Sequence, residues 1–85
     1  MIGPVPDLGD VLANAVRAER SRRGWRQQDL AEKCGWSLDT ISAIERGIRR
    51  VAVEDLPVIC GALGVPLIKL LDGADQDDLR KIGLA

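Results

Sequence analysis

The 85-residue chain has no histidine, no tyrosine and no phenylalanine, and only two tryptophans and two cysteines. Without histidine it lacks the side chain most used for proton transfer near neutral pH and for binding metals. Cys34 and Cys60 have no C-x-x-C partner, so no zinc site is expected, and no cofactor of any kind. Each reads instead as one buried thiol in a helix. A G-x-S-x-G elbow and a glycine-rich phosphate loop are also missing. The adjacent carboxylates Glu54-Asp55 and Asp77-Asp78 read as helix N-terminal charges, not as an acid/base pair. These absences argue against an enzyme. No apolar run approaches the roughly 18 residues of a membrane span. No basic segment precedes one either, so a cytoplasmic chain without a signal peptide is expected.

What is present is enough apolar residue, 46%, to build one small core. The net charge is only −1, but it is unevenly spread. From Val11 to Ala52 nine basic residues face five acidic ones, a balance of +4; from Val53 to Ala85 three face six, a balance of −3. Asp7 and Asp10 supply the rest. A basic half is what counterion release from a phosphate backbone requires, although arginine-rich helices are also often merely solvated.

Pattern and punctuation predict an all-α chain. Residues 1–9 carry two prolines and read as an extended arm. Asp10 is the expected N-cap of a first helix running to about Arg23, with Leu12, Ala15, Val16 and Ala18 as an imperfect apolar stripe and Gly24 as the stop. Trp25 is expected to wedge this helix against the next. A second helix spans about Gln27 to Cys34, Gly35 turns the chain, and Ser37 caps a third helix with Asp39 in its first turn. Trp36 and Ile41 have the spacing of a hydrophobic staple. Two short helices joined by a glycine turn over 27–46 form a helix-turn-helix pattern. A fourth helix is expected from about Glu54 to Leu63, and Pro66 opens a short fifth. Residues 73–85 read as a tail or one more short helix, with Leu79 and Ile82 as a lid on the core or part of a dimer seam.

On the third helix the 100° step turns Ile41 and Ile44 inward, with Glu45 at the edge of that face. Asp39, Ala43 and Arg46 point outward, flanked by Leu38, Ser42 and Thr40. A face mixing small, apolar and polar groups suits base edges better than open water. Arg26 sits at the second helix's N-cap, where Ser, Thr, Asp or Asn would be favoured, and is placed to reach a phosphate. Asp29 partly compensates by facing the positive end of the helix dipole.

RAERSRRGW, QQDLAEKCG, ISAIERG and LPVICGALGVPLIKLL stand in an order that resembles the lambdoid phage repressor and Cro family, the xenobiotic-response-element type of helix-turn-helix. The resemblance covers about 60 residues. It implies a compact five-helix bundle over 10–72 with the third helix in the major groove. By the family's pattern, Gln27 contacts phosphate, and Arg20 pairs with Glu45 in a partly buried salt bridge. The base-reading positions fall on Leu38, Asp39, Thr40, Ser42 and Ala43. None of these is Arg, Lys, Asn or Gln, so the common bidentate readers of G and A are missing. Asp39 suits cytosine N4, while Leu38 and Ala43 suit thymine methyls. Backbone grip is expected from Arg26, Gln27, Arg46, Arg49 and Arg50. Glu19 is a second departure, standing where the family often has something less polar.

The expected function is a transcriptional regulator, most simply a homodimeric repressor on palindromic double-stranded DNA. Two other readings stay open. One is an interaction module of the same fold, either an antitoxin that also binds a toxin or a domain whose acidic C-terminal half docks a protein. The other is an activator touching polymerase through Asp29 and Glu32.

Overall fold

The computed structural model describes residues 7–85, and among them there are six α-helices, one 3₁₀ turn and no strand. The helices are α1 (Leu8–Arg22), α2 (Gln27–Cys34), α3 (Leu38–Glu45), α4 (Leu56–Leu63), α5 (Leu67–Leu70) and α6 (Gln76–Lys81). A 3₁₀ turn at Val53–Asp55 leads into α4. The chain is an all-α bundle, with α6 as the short C-terminal addition.

Helix α1 starts earlier than the sequence predicts. Asp7, not Asp10, is its N-cap, and the Asp7 carboxylate accepts from the Asp10 amide at 2.8 Å. Leu8 explains the extension, since it packs against the core and makes another turn worth its entropy. The first six residues of the expected arm lie outside the described residues. Helix α1 buries Leu12, Ala13 and Val16, whereas Ala18, expected in the stripe, is exposed.

The centre holds Val16, Leu30, Ile41, Ile44, Ile59 and Leu70, all fully buried. Each such side chain stabilises the fold by roughly 1.5–3 kcal/mol over leaving it in water. Leu30 and Ala31 anchor α2, Ile41 and Ile44 anchor α3, and Ile59 and Leu63 bring in α4. Leu79 on α6 is buried with them, but Ile82 is 51% exposed, so only the first of that pair is a lid. Cys34 and Cys60 are half-buried rather than buried, and burial pushes both thiols up from the ordinary value, leaving them poor nucleophiles.

Trp25 is also half-buried, at the rim rather than in the core. Lys33 lies over its ring at 4.6 Å from the centroid, and Arg23 at 5.6 Å. A six-helix bundle this small has little interior for an indole, so the ring is covered by charged side chains.

Arg23 ties the first helix to the fourth. Its Nη2 donates to the Leu63 carbonyl at 2.7 Å, satisfying an orphan acceptor at the α4 C-terminus. Its Nη1 donates to the Glu19 carboxylate at 2.6 Å, and Arg22 pairs with the same carboxylate. The polar Glu19 thus has a structural task. The hydrogen bond from Arg23 holds its carboxyl below the ordinary 4.5, against a smaller opposing push from burial. A depressed carboxyl contributes stability that is present above the unfolded value and lost as pH falls through the lower folded one. Glu19→Gln is therefore expected to flatten the fall in urea midpoint as pH drops below the ordinary carboxylate value of 4.5, without abolishing it. Asp29, held down by Arg26, supplies a similar contribution. An unchanged acid profile would count against the Glu19 clamp.

Candidate nucleic-acid interface

The α2–turn–α3 unit is built almost wholly from local contacts. Asp29 in the first turn of α2 accepts from the Arg26 backbone amide at 2.8 Å, and its other oxygen takes the Arg26 guanidinium at 3.2 Å. Arg26 contributes no cap of its own, so Asp29 reaching back replaces the missing Ser or Thr. Gly35 then takes φ +72°, a left-handed conformation that side chains resist. The following Trp36 amide closes onto the Ala31 carbonyl at 2.9 Å. Ser37 caps α3 by accepting from the Thr40 amide at 3.1 Å.

Three helices meet at Glu45. It is the one buried charged residue among the described residues, 3% exposed, and sits deeper than the edge position predicted from the helical wheel. Arg20 of α1 makes this burial tolerable. Its Nε donates to Glu45 Oε2 at 2.7 Å and its Nη2 to Oε1 at 2.9 Å, a bidentate fork. The remaining Arg20 Nη1 donates to the Trp25 carbonyl at 2.6 Å. Gln27 at the start of α2 adds a third bond to the carboxylate, its Nε2 donating to Glu45 Oε1 at 3.2 Å. That bond is not visible in the sequence, and it turns the Gln27 amide toward the protein as well as toward solvent.

Outward from this anchor, Leu38 and Asp39 are exposed, and Thr40, Ser42 and Ala43 are half-buried. The Thr40 hydroxyl shares a hydrogen bond with Ser37 at 2.9 Å, so part of its polarity is used in capping. The chain closes the C-terminal end of α3 just past Ala43, with the Ile48 and Arg49 amides both donating to the Ala43 carbonyl at 3.0 and 3.2 Å. Arg46, Arg49 and Arg50 are all exposed, and none forms an ion pair among the described residues. The five candidate base readers are all α3 positions that keep some exposure, and Arg46, Arg49 and Arg50 follow them in the chain, the Arg46 guanidinium donating to the Ser42 carbonyl at 3.4 Å. Arg26 stands apart at the other end of the motif, held by Asp29 yet largely exposed.

A family profile described as a helix-turn-helix domain matches residues 11–71, most of the chain. The chain belongs to this helix-turn-helix family, of the Cro and lambda-repressor type. A "Neisseria hypothetical transcription factor" from Neisseria meningitidis is 38% identical over 65 residues, which is 76% of this chain and 61% of that protein. The helix-turn-helix chain thus spans less than two thirds of that relative's length. The crystal structure of the clp gene regulator ClgR from Corynebacterium glutamicum superposes with a TM-score of 0.76 at 34% identity, covering 86% of this chain and 94% of that one. The restriction-modification controller protein C.Esp1396I, solved as a tetramer with its natural 35-base-pair operator, superposes with a TM-score of 0.70 at 28% identity, covering 76% and 86%. No helix among the described residues is long and apolar enough to cross a membrane.

The α1 N-terminus, the segment from Gly47 to Val51 that follows α3, α4 and α5 enclose a groove of about 300 Å³, with Arg49 and Arg50 at its α3 side. Leu8, Leu56, Leu67 and Leu71 line it, and Val53 and Ile82, 80% and 51% exposed, form an apolar rim.

Proposed function

We propose that the chain is a sequence-specific regulator of transcription that binds double-stranded DNA as a homodimer, with α3 in the major groove. The observation that carries this is the separation of roles around α3. Glu45 fixes the helix from within, while Leu38, Asp39, Thr40, Ser42 and Ala43 present a mixed surface beside Arg46, Arg49 and Arg50. In this arrangement the arginines, with Arg26 and Gln27, hold phosphates, and the mixed surface reads bases. The operator-bound controller protein and the regulators of the same fold support it. The role is one of binding, without catalysis, and it fits a bacterial cytoplasm.

A second copy suits the apolar groove and its rim of Val53 and Ile82, the region where the sequence left a lid and a dimer seam as alternatives. A two-fold dimer would set the two α3 helices about 34–36 Å apart, one turn of DNA. Repression is the simplest outcome of such occupancy at a promoter.

A mobility-shift titration against DNA from upstream of the chain's own gene, at two salt concentrations, tests the proposal. One retarded species with two chains per duplex is expected, persisting at the higher salt when random-sequence DNA is released. Equal affinity for both duplexes would remove the operator from the reading and favour the protein-docking alternative.

A further inference from the structure

The segment after α3 carries an isoleucine that neither the core nor the candidate base-reading surface uses. Gly47 makes the turn at φ +73°, and the Ile48 and Arg49 amides then return to the Ala43 carbonyl. The backbone of this segment is thereby held at the C-terminal end of α3. The Ile48 side chain is nevertheless 69% exposed. Single exposed apolar residues are ordinary. The setting sets this one apart: Arg46 precedes it by two positions, Arg49 and Arg50 follow it, and all three guanidinium groups are exposed and without an ion pair among the described residues. Such a surface repels a basic partner and fits one that alternates negative charge with apolar edge. The backbone of duplex DNA has that alternation, phosphates separated by the C–H edges of deoxyribose.

We propose that Ile48 is a DNA-contacting side chain that packs on deoxyribose edges between the phosphates held by Arg46, Arg49 and Arg50. This rests on the DNA-binding reading above and adds an apolar contact to it. Because the contact removes hydrocarbon from water and releases no counterion, it adds affinity without adding to the salt slope. Because sugars are the same at every base pair, it adds equally on any sequence.

The test uses the full chain, the duplex that gives the shift described above and a random duplex, with Ile48→Ser and Ile48→Val compared over a range of salt. Ile48→Ser is expected to weaken binding about tenfold on both duplexes, with the slope of log affinity against log salt unchanged. Ile48→Val is expected to keep most of the affinity. At 69% exposure neither change should alter the thermal midpoint appreciably. Undiminished binding by Ile48→Ser overturns the contact, as does a loss confined to the specific duplex, which would mean a base contact instead. A loss that follows dimer dissociation in sedimentation overturns it too, placing Ile48 between copies. If the unsubstituted chain binds neither duplex, the DNA-binding reading itself falls, a result distinct from the others.

Discussion

Replacing Glu45 with alanine is expected to cost the fold about 3 kcal/mol or more, because it leaves the Arg20 guanidinium facing an interior with no carboxylate. The Arg20 side chain is only 15% exposed, and its two hydrogen bonds to Glu45 are short and parallel. Those bonds raise the guanidinium's hold on its proton, against the smaller push of burial, and arginine stays charged even without them, so it cannot escape by neutralising once Glu45 is gone. A domain of this size has total stability on the order of 5–10 kcal/mol, so the loss is a large fraction of it. In thermal unfolding followed by circular dichroism the midpoint should fall by roughly 10–20 °C. Arg20→Met combined with Glu45→Leu should recover much of this, since removing both charges leaves neither stranded. A loss below about 1 kcal/mol for Glu45→Ala would mean the pair behaves as a surface bridge and that α3 is held by its isoleucines alone.

The second large effect concerns affinity and should leave the fold untouched. Arg49→Ala with Arg50→Ala removes two exposed charges that make no ion pair among the described residues, so thermal unfolding should be unchanged. If each holds one phosphate, a dimer loses four contacts. The slope of log affinity against log salt should then become shallower by about 3.6. At about 0.1 M salt that corresponds to a weakening on the order of a thousandfold, similar on specific and random duplexes. Fluorescence anisotropy titrations at several salt concentrations would measure it. A full salt slope in the double variant would move the grip to Arg26, Gln27 and Arg46.

The two predictions draw on different parts of what the sequence made legible. The α2–turn–α3 bounds could be read because their determinants are local: Gly35 for the left-handed turn, Ser37 for the cap, Asp29 for the first turn. The start of α1 was misplaced because two aspartates three residues apart both qualify as caps, and only the packing of Leu8 decides between them. Trp25 is legible as an aromatic between two helices, but not the charged groups that cover its half-buried ring. The Arg20–Glu45 pair was reached through family resemblance, since its partners lie 25 residues apart. The bond from Gln27 to the same carboxylate, and that from Arg23 to the Leu63 carbonyl 40 residues away, depend on how finished helices pack. No local pattern encodes them. The exposure of Leu38 and Asp39 follows from helical periodicity, but the half-burial of Ala43 and the return of the Ile48 and Arg49 amides to its carbonyl do not.

Glu45 also has a consequence for how such a chain diversifies. It holds α3 from the interior side, through donors on α1 and α2, and leaves Leu38, Asp39 and Ser42 with no tertiary hydrogen bond among the described residues. Substitutions at those three positions face little constraint from folding, as surface changes away from special features generally cost within about 0.5 kcal/mol. The scaffold and the address it reads are therefore separately mutable. A duplicated copy could acquire a new binding site through changes on α3 alone, while a change at Arg20, Gln27 or Glu45 would endanger every specificity at once.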